Sequence, residues 1–437
     1  MIGETIAAVA TPPGEGGVAI IRISGPDARE ILSRAFSPVP KARRLGYGHV
    51  MGKEGKMDEA MAVFMPAPHT YTREDVAEIH CHGGSYITQR VLERVFELGA
   101  RPAKSGEFTM RAFLNGRVTL DEAEAVMAVI SANSEAAGRA ALRQLEGGVS
   151  AYVKSIRTQL VDQMAQIEAH MDFPEEVDED LTREELIASL EEIIAGLRER
   201  SDGDRARIVR DGASCVLAGA PNVGKSSIMN ALAGSDRAIV TDIAGTTRDV
   251  LTERVFLGGL TVELSDTAGV RETGDAIEKI GVERAKKAVQ NADAVIAVFD
   301  ASSPWNDSEK EMLSELDSRA ILVLNKTDLT VEKELPGAIM ISCKTGEGIK
   351  ELENAILEAL RAPEIAENQM TCARHIDLAK KTLEALECAL DSAQIGMPLD
   401  ALCVYLQDAL RTLGEITGED ATEDVIDRVF ERFCVGK

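Results

Sequence analysis

The sequence predicts a chain of three domains: an α+β domain at residues 1–118, an all-α domain divided between residues 119–210 and 363–437, and an α/β domain at residues 211–362 inserted into the helical one. Three observations predict this architecture. Strand-like apolar runs separated by turns end near residue 117, apolar residues at helical spacing follow, and strand-like runs alternate with helical patterns within the inserted segment. A length of 437 residues agrees with several domains of roughly 100–200 residues each.

The first domain is predicted to mix strands and helices. Apolar runs at residues 6–9 and 18–23 flank the turn-rich loop 12–17 and indicate two strands. The remaining elements follow in the order helix 27–36, strand 59–65, strand 76–80 and helix 86–98.

The helical domain begins at Leu120, where strand signals end. From residue 142 to residue 171 apolar side chains recur at alternating steps of three and four, which predicts one long amphipathic helix. Gly147-Gly148 lies within it and permits a break, because each glycine costs about 0.8–1 kcal/mol in a helix interior. The acidic run 172–180 is interpreted as a solvated linker. After Pro363, helices are predicted at residues 375–393, 399–413 and 421–433.

The composition is that of a globular protein with an acidic surface. Hydrophobic residues make up 45% of the chain, charged residues 28%, and mean hydropathy is -0.07, which excludes global disorder. With 48 Lys and Arg against 73 Asp and Glu the net charge is -25, so most of the surface repels nucleic-acid phosphates and anionic membranes. A nucleic-acid partner must meet a local basic patch, for which residues 41–44 and 205–210 are candidates.

Cysteine usage and apolar runs predict the compartment. Seven cysteines without a CxxC pair form no disulfide framework, which favours a reducing cytoplasm. The sequence has no signal-peptide pattern and no run of about 18 apolar residues, so we expect no membrane span.

A phosphate-binding loop (P-loop) precedes the first helix of the α/β domain. Residues 219–226 match GxxxxGK[ST], directly after the apolar run 214–218 and before the helical pattern 227–233. Backbone N–H groups of such a loop and the helix N-terminus hold phosphates, Lys225 reaches the β- and γ-phosphates, and Ser226 can ligate Mg²⁺. The sequence therefore predicts a nucleoside triphosphate site.

A second motif identifies the base. Asn325-Lys326-Thr327-Asp328 (NKxD) directly follows the predicted strand 320–324. The Asp328 carboxylate can accept hydrogen bonds from both N–H groups on the guanine edge, a donor pair that adenine lacks. The motif favours guanine.

Three further segments occur in the order that a GTPase needs: Thr246-Thr247, Asp266-Thr267-Ala268-Gly269 and Ser342-Cys343-Lys344. Thr247 is a candidate ligand of Mg²⁺ and the γ-phosphate, Asp266 would hold Mg²⁺ through water, and Gly269 can offer its N–H to the γ-phosphate. Together the motifs predict a Ras-like P-loop G domain that binds GTP.

The residue after this DxxG motif is Val270. Ras-like enzymes have there a glutamine that orients the attacking water, whereas valine has neither donor nor acceptor. One interpretation is a switch that hydrolyses GTP poorly, and the other is that another residue or a cation takes over. Glu278 lies near enough in sequence to position water, and Arg271 or Glu272 could order the loop. Spacing does not choose among them.

With these motifs the chain resembles the MnmE (TrmE) family of tRNA-modifying GTPases over its whole length. The resemblance also rests on residues 10–14 (ATPPG), 17–25 (GVAIIRISG), 82–84 (HGG), 106–108 (GEF), 111–116 (RAFLNG), 242–249 (DIAGTTRD) and 434–437 (CVGK). It implies a folate-binding N-terminal domain, a discontinuous helical domain, an inserted G domain, and a homodimer formed through the N-terminal domains.

The resemblance also implies how hydrolysis proceeds. G domains of the family dimerise across their nucleotide faces, and a potassium ion fills the place of an arginine finger. By motif match Asn222 would ligate potassium through its side chain, and Thr241, Ile243 and Thr246 would do so from the loop around the ion. A positive charge at the phosphates lowers the barrier to phosphoryl transfer, so the ion would answer the gap left by Val270.

Two catalytic candidates and the nucleotide set follow from the same match. Glu278 matches a water-orienting glutamate, and Arg271 matches an arginine that supports the switch. Ser226 and Thr247 would hold Mg²⁺. The residues expected at GTP are Asn222, Val223, Gly224, Lys225, Ser226, Ser227, Thr241, Asp242, Ile243, Ala244, Gly245, Thr246, Thr247, Asp266, Thr267, Ala268, Gly269, Asn325, Lys326, Asp328, Ser342, Cys343 and Lys344.

The implied reaction modifies tRNA together with the flavoprotein MnmG. It adds an aminomethyl or carboxymethylaminomethyl group to carbon 5 of the wobble uridine, with a one-carbon unit from 5-formyl- or 5,10-methylenetetrahydrofolate. By motif match Arg22, Glu78, Arg117 and Lys437 would contact the folate. Chemically the two arginines suit its glutamate carboxylates and Glu78 suits the pterin N–H groups, although each could equally form a surface ion pair. Cys434 could be a nucleophile or a buried thiol.

Other interpretations remain at this stage. A regulatory GTPase would fit the G domain equally well, but the N-terminal domain and the CVGK segment favour modification. A ribosome-assembly GTPase fits poorly with an isoelectric point near 4.8. His80-Cys81-His82 suggests a metal site, yet adjacent strand residues point to opposite faces, so we expect none there.

Overall fold

The structure, a computed structural model, describes residues 3–173, 179–235, 252–266, 289–317, 319–360 and 369–437. Its internal contacts divide the chain into two units. The first unit is Met1–Met127, Gln144–Ile187 and Glu384–Lys437, and the second is Ala128–Arg143 and Ala188–Leu383. Among the residues described, no helix is long and apolar enough to cross a membrane.

The strands of the described chain are β1 (Ile6–Val9), β2 (Gly16–Ser24), β3 (Phe36–Ser37), β4 (Gly46–Gly52), β5 (Gly55–Met65), β6 (Val76–Gly83), β7 (Arg101–Pro102), β8 (Ala213–Ala218), β9 (Thr252–Leu257), β10 (Leu260–Asp266), β11 (Ala294–Asp300), β12 (Ala320–Asn325) and β13 (Ile339–Met340). The helices are α1 (Ala28–Ala35), α2 (Ser85–Glu97), α3 (Glu107–Leu114), α4 (Leu120–Ser131), α5 (Glu135–Leu145), α6 (Gly148–Asp172), α7 (Glu179–Arg200), α8 (Gly203–Asp211), α9 (Lys225–Ser235), α10 (Asp307–Glu315), α11 (Ile349–Ala359), α12 (Ala373–Gln394), α13 (Leu399–Thr417) and α14 (Glu423–Glu431). Strands and helices therefore follow the predicted classes: mixed, then helical, then alternating, then helical.

The first unit contains a seven-stranded sheet in the order β3-β4-β5-β6-β2-β1-β7. All neighbouring pairs are antiparallel except β1 with β7. Because side chains alternate along a strand, one face of β2 and β6 contributes Ile21, Ile23 and Ile79 to a core shared with α1 and α2. The alternate positions carry Arg22 and Glu78, which pair in register on the other face.

Strand β4 was absent from the sequence prediction, which is therefore incomplete here. Three of its seven residues are glycine, and glycine is a poor strand former. Gly48 is needed for close packing, because a Cβ there would lie 2.4 Å from the carbonyl oxygen of Ser37 on the neighbouring β3. Its low strand propensity is offset by this tertiary contact.

The prediction of one continuous helix over residues 142–171 is wrong. α5 ends at Leu145 and α6 begins at Gly148, with Gly147 between them in the left-handed region at φ 85°. Glycine adopts that conformation without the steric cost of a Cβ, so the pair marks a break rather than a strained helix. The apolar stripe continues correctly in α6, where five of its members are buried: Val149, Val153, Ile156, Leu160 and Ile167.

The second unit contains a six-stranded sheet in the order β13-β12-β11-β8-β10-β9. The first five of these strands are parallel, as the alternation of strands and helices predicts, and β9 is an antiparallel edge. β9 was not predicted, since its polar residues leave little apolar signal in the sequence TERVFL. The carboxyl ends of the parallel strands meet at one edge, where ligands of such sheets bind.

Candidate functional site

Lys225 is the buried charge at the carboxyl edge of the second sheet. It opens α9, and its side chain is 4% exposed. Its Nζ donates to the carbonyl oxygens of Gly219 at 2.8 Å and Ala220 at 3.0 Å, and lies 3.9 Å from Oδ1 of Asp266 at the end of β10. Burial lowers the pKa of Lys225, while Asp266 opposes that shift. A buried cation with so little compensation is a natural partner for an anion.

The P-loop is joined to the NKxD motif by the side chain of Asn325. Its Nδ2 donates to the carbonyl oxygen of Val223 at 2.8 Å, and both residues are buried. A Cβ at Gly224, whose φ is 101°, would lie 2.1 Å from that Nδ2. Asn325 Oδ1 is buried without a hydrogen-bond partner among the described residues. One asparagine therefore links the phosphate loop and the base motif.

Asp328 lies where the base motif predicts a guanine-reading carboxylate. Its Oδ1 accepts a hydrogen bond from Ser342 Oγ at 2.9 Å, and Lys344 Nζ lies 3.6 Å from its Oδ2. The Ser342 hydrogen bond, with a smaller contribution from Lys344, lowers the pKa of Asp328. The carboxylate stays ionised and keeps acceptor capacity for two ligand N–H groups.

Lys326 flanks the same pocket in the left-handed region at φ 66°. Its Nζ lies 2.5 Å from Oδ2 of Asp300 at the end of β11. Burial raises the pKa of Asp300, but hydrogen bonds from Lys326 and Ser302 outweigh it and lower the pKa below its usual range. The ion pair fixes the Lys326 side chain beside the base pocket.

Residues of the NKxD motif and of α9 line a cavity of about 700 Å³. Its lining includes Ser227, Asn230, Lys326, Asp328, Cys343 and Lys344. Ser226 is exposed at the N-terminal end of α9, and Asn222 is exposed in the P-loop at φ 66°. The cavity, the phosphate loop and the exposed hydroxyl form a site suited to a purine nucleotide with its metal ion.

Several predicted site residues lie outside the described residues. They are Thr241, Asp242, Ile243, Ala244, Gly245, Thr246, Thr247, Thr267, Ala268, Gly269, Arg271 and Glu278. Val270 and Glu272 lie outside them too.

A second cluster occupies the open face of the first sheet. Arg22 Nε donates to Glu78 Oε1 at 2.9 Å across the β2–β6 pair. His80, two residues along β6, places Nε2 3.2 Å from Glu78 Oε2. Burial raises the pKa of Glu78, but the His80 hydrogen bond, the largest influence, together with Arg22, lowers it. Glu78 is thus a fixed carboxylate with a partner on each oxygen.

Two aromatic rings and the CVGK segment complete this cluster. The Arg22 guanidinium carbon lies 5.9 Å from the ring centroid of Tyr71 and 5.8 Å from that of Phe108, and Arg22 Nη1 donates to the Gly436 carbonyl at 3.3 Å. The Arg117 guanidinium carbon lies 4.7 Å from the ring centroid of Tyr71, and Arg117 Nη1 donates to the Tyr71 backbone carbonyl at 2.8 Å. The predicted folate residues Arg22, Glu78 and Arg117 are therefore neighbours.

The CVGK segment packs beside α3. The backbone N–H of Gly106 donates to the Cys434 carbonyl at 3.4 Å, and that of Phe108 donates to the Lys437 carbonyl at 3.2 Å. The Cys434 residue is exposed, so the interpretation of a buried thiol is wrong. Lys437 is half-buried.

His80 is a site residue that the sequence did not predict, because its pattern with Cys81 and His82 suggested only a metal ligand. Cys81 faces the core beneath the helices, whereas His80 pairs with Glu78 and His82 Nδ1 lies 2.7 Å from Asp58. The three side chains do not converge. The spacing of Glu78 and His80 by two residues on a strand is the signal that could have paired them.

Three arginines of the two candidate basic patches make hydrogen bonds or ion pairs within their own units. Arg43 donates to the carbonyls of His69 and Pro66. Arg207 pairs with Asp293, and Arg210 bonds Asp211 and a backbone carbonyl. Acidic partners offset part of the positive charge of residues 205–210, whereas the carbonyls that Arg43 contacts are neutral and leave its charge in place.

The sheet order, the P-loop and the motifs at its carboxyl edge define a P-loop GTPase domain, here carried by a chain that also has an α+β domain and a helical domain. Family profiles match nearly the whole chain: "GTP-binding protein TrmE N-terminus" over residues 5–117 and "MnmE helical domain" over residues 120–434. The chain belongs to the MnmE family.

Full-length relatives carry the same description, "tRNA modification GTPase MnmE". The protein of Pediococcus pentosaceus is 42% identical over 99% of this chain and 98% of its own length. That of Finegoldia magna is 40% identical over 99% of this chain and 100% of its own. The solved G domain of the T. maritima FeoB iron transporter is 29% identical over 34% of this chain and 98% of its own, with a TM-score of 0.26.

Proposed function

We propose that this chain binds and hydrolyses GTP and acts in tRNA modification. The observation that supports it most is the link through Asn325, which holds the P-loop and the Asp328 pocket in one piece next to the buried Lys225. Lys225 would exchange its carbonyl partners for phosphate oxygens, and Asp328 would accept from the guanine N–H groups. Full-length relatives described as tRNA modification GTPases support the biological role.

Mg²⁺ fits the donors that this site presents. Ser226 exposes a hydroxyl at the helix N-terminus, and Asp266 places a carboxylate beside Lys225. Such hard oxygen ligands suit Mg²⁺, which when bound would neutralise charge on the phosphates. Ser226 and Thr247 would hold the ion, and Asp266 would act through water.

We also propose that potassium takes part in hydrolysis. Val270 offers no group to orient water, and Asn222 presents an exposed amide from a left-handed P-loop position. Asn222, Thr241, Ile243 and Thr246 would hold the ion.

Hydrolysis also needs an oriented water molecule. We propose that Glu278 orients it and that Arg271 supports the switch, as their places in the sequence imply. Glu278→Ala should then lower GTP turnover and leave GTP affinity nearly unchanged.

The test of the nucleotide proposal is the GTPase rate in potassium against sodium at matched ionic strength. We expect a faster rate in potassium that Asn222→Ala abolishes, while Asn291→Ala, another exposed asparagine of the second unit, leaves it intact. Equal rates in both salts would refute the cation and favour the switch interpretation. Failure of the wild type to bind GTP would refute the function as a whole.

We propose that the Arg22–Glu78 cluster binds 5-formyl- or 5,10-methylenetetrahydrofolate. The residues fit such a ligand, since Glu78 is an ionised acceptor for pterin N–H groups and two arginines flank a tyrosine ring. When bound, the folate would supply a one-carbon unit. Arg22, Glu78, Arg117 and Lys437 would bind it, and the exposed Cys434 is a candidate nucleophile.

We further propose that the chain acts as an assembly with a second copy of itself and with MnmG. The chain would form a homodimer through residues 1–118, work with MnmG in the cytoplasm, and modify carbon 5 of the wobble uridine by an aminomethyl or carboxymethylaminomethyl group. Residues 119–210 with 363–437 would form the helical domain, and residues 211–362 would form the G domain. The test is mass spectrometry of nucleosides from tRNA incubated with MnmG, GTP, folate and this protein. We expect modified wobble uridine with the wild type and none with Lys225→Ala.

A further inference from the structure

We propose that His80 is a positioning residue, which holds the Glu78 carboxylate in the orientation that receives a pterin-type ligand. The inference rests on the proposed folate function and deepens it, because it assigns a role to a residue that the family motifs do not single out. Its basis is the placement of His80 and Arg22 on opposite oxygens of one carboxylate.

The strand geometry places the three groups together. Arg22 and Glu78 are register partners on β2 and β6, and His80 follows two residues after Glu78, on the same face of the sheet. Each of the three side chains is partly buried, with 19%, 16% and 19% of its surface exposed, respectively. Since these groups lie on strands in a seven-stranded sheet, their backbones are held by ladder hydrogen bonds.

Each oxygen of the Glu78 carboxylate has one hydrogen-bond partner. Arg22 Nε occupies Oε1 at 2.9 Å, and His80 Nε2 occupies Oε2 at 3.2 Å. An ionised carboxylate has about four lone-pair positions, so two remain for a ligand that brings two N–H donors. For His80 to donate, its proton must sit on Nε2.

Without His80 the carboxylate would keep a partner on one oxygen only. It could then rotate about its terminal bond, because that torsion has a broad energy minimum. A ligand with two parallel N–H groups needs both oxygens in its plane, so it would have to restore the orientation at its own cost. His80 therefore acts through Glu78 and not on the ligand itself.

His82 provides a matched control in the same strand. It lies on the same face of β6, but its ring is 66% exposed and pairs with Asp58 on the neighbouring strand. Like His80→Ala, His82→Ala removes a β6 histidine that contacts a carboxylate, but that carboxylate is Asp58 and the contacts of Glu78 stay intact.

The experiment titrates 5-formyltetrahydrofolate into the full-length protein by calorimetry. We expect His80→Ala to weaken binding by about 10-fold, because the ligand must then order a carboxylate that is no longer held in place. His80→Gln, which can still donate from its amide, should recover most of the affinity, and His82→Ala should match the wild type. In a Glu78→Gln background, His80→Ala should have little further effect.

Two results would overturn the inference. If His80→Ala binds as tightly as the wild type while Glu78→Gln binds weakly, the folate function stands and the role of His80 is refuted. If His80→Ala weakens binding equally with and without Glu78, the histidine contacts the ligand directly. A wild type that does not bind 5-formyltetrahydrofolate refutes the folate function and this inference together. Melting temperatures of all variants identify any loss of folding.

Discussion

Asp328 meets the nucleotide cavity with one carboxylate oxygen engaged by Ser342 and the other 3.6 Å from Lys344. Asp328→Asn keeps an oxygen for Ser342 but turns one acceptor into a donor, so it can no longer accept from both guanine N–H groups. We expect GTP to bind about 100-fold more weakly, from the loss of two hydrogen bonds to a charged group. Xanthosine triphosphate, which presents a carbonyl at position 2, should bind better than GTP.

Competition of the two nucleotides for a fluorescent analogue measures this reversal. Ser342→Ala is the control, because it leaves the carboxylate ionisable and should alter affinity without changing the preferred base. Retention of tight GTP binding by Asp328→Asn would show that another group reads the base.

Two glycines near α9 differ in whether the structure has room for a Cβ atom. A Cβ at position 224 would lie 2.1 Å from Asn325 Nδ2, and φ there is 101°. Gly224→Ala should therefore break the bond from Asn325 to Val223, lower stability and abolish GTP binding. Gly234 has no atom of the described residues within 4 Å of a built Cβ and lies in the last turn of the helix, so Gly234→Ala should stabilise by at most about 0.5 kcal/mol.

Urea unfolding and nucleotide titration of the two variants make the comparison. Equal behaviour of the two alanine variants would mean that the loop can shift away from Asn325. The prediction depends on this contact and not on general helix propensity.

Among the elements, the segment between β12 and β13 is fixed to α10 by a buried ion pair. Lys333 Nζ donates to both carboxylate oxygens of Glu309 at 2.7 Å, with side-chain exposures of 0% and 4%. The ammonium also lies 5.1 Å from the ring centroid of Trp305. Lys333→Met removes the cation from a buried carboxylate, which keeps the Asn306 backbone N–H as a partner, and should cost about 3–5 kcal/mol.

Trp305 is the only tryptophan of the chain, so its fluorescence in urea reports unfolding at this pair. Lys333→Met combined with Glu309→Leu should regain only part of the loss, because no buried charge remains but the capping bond from the Asn306 backbone N–H to Glu309 is lost as well. Lys310→Met, on the exposed face of α10, should change stability by less than about 0.5 kcal/mol. An equal loss in the double variant would show that the Trp305 contact and the Glu309 capping bond, not the charge pair, carry the stabilisation.

The junction of β7 and α3 predicts a response to acid. Burial raises the pKa of Glu107, but hydrogen bonds from Arg101, the backbone N–H of Lys104 and Arg111 outweigh it and lower the pKa to about 2 from an ordinary value of 4.5. A lowered native pKa contributes stability that is complete above pH 4.5 and is lost as the pH falls toward 2.

Glu107→Gln should therefore melt below the wild type at pH 7, with a difference that shrinks as the pH falls from 4.5 toward 2. Calorimetric melting temperatures across that range measure the difference. Glu30→Gln, at an exposed pair with Arg34, should follow the wild type at every pH. A constant difference for Glu107→Gln would mean that packing, not ionisation, carries the effect.

Elements with strong local patterns were predictable, and elements defined by their neighbours were not. β1, β11 and α13 have apolar runs or stripes that report their type directly. β4 contains Gly48 where the backbone of β3 comes too close for a Cβ, and that contact is invisible in the residues of β4 itself. The end of α5 depended on one left-handed glycine within a pattern that favoured continuation.

Across the whole molecule, the predicted fold class is confirmed by the family profiles and agrees with the order of elements. The P-loop and the NKxD motif were predicted to meet because both follow parallel strands, and a parallel sheet brings such ends to one edge. The cluster on the first sheet was expected only through the family resemblance, since Arg22 and Glu78 are 56 residues apart. Exposure of Cys434 and the partner of His80 required the folded chain.

The bond from Arg22 to the Gly436 carbonyl joins residues 414 positions apart. At about 5–20 residues per second, a ribosome takes on the order of 20–80 s to travel between them. The nascent chain can therefore pair β2 with β6 early. Arg22 can bond the Gly436 carbonyl only after residue 436 has been synthesised. A chain whose translation stops before Gly436 could still form the sheet with Arg22 and Glu78 in place. It would lack the Gly436 carbonyl, so the Arg22 cluster would be incomplete.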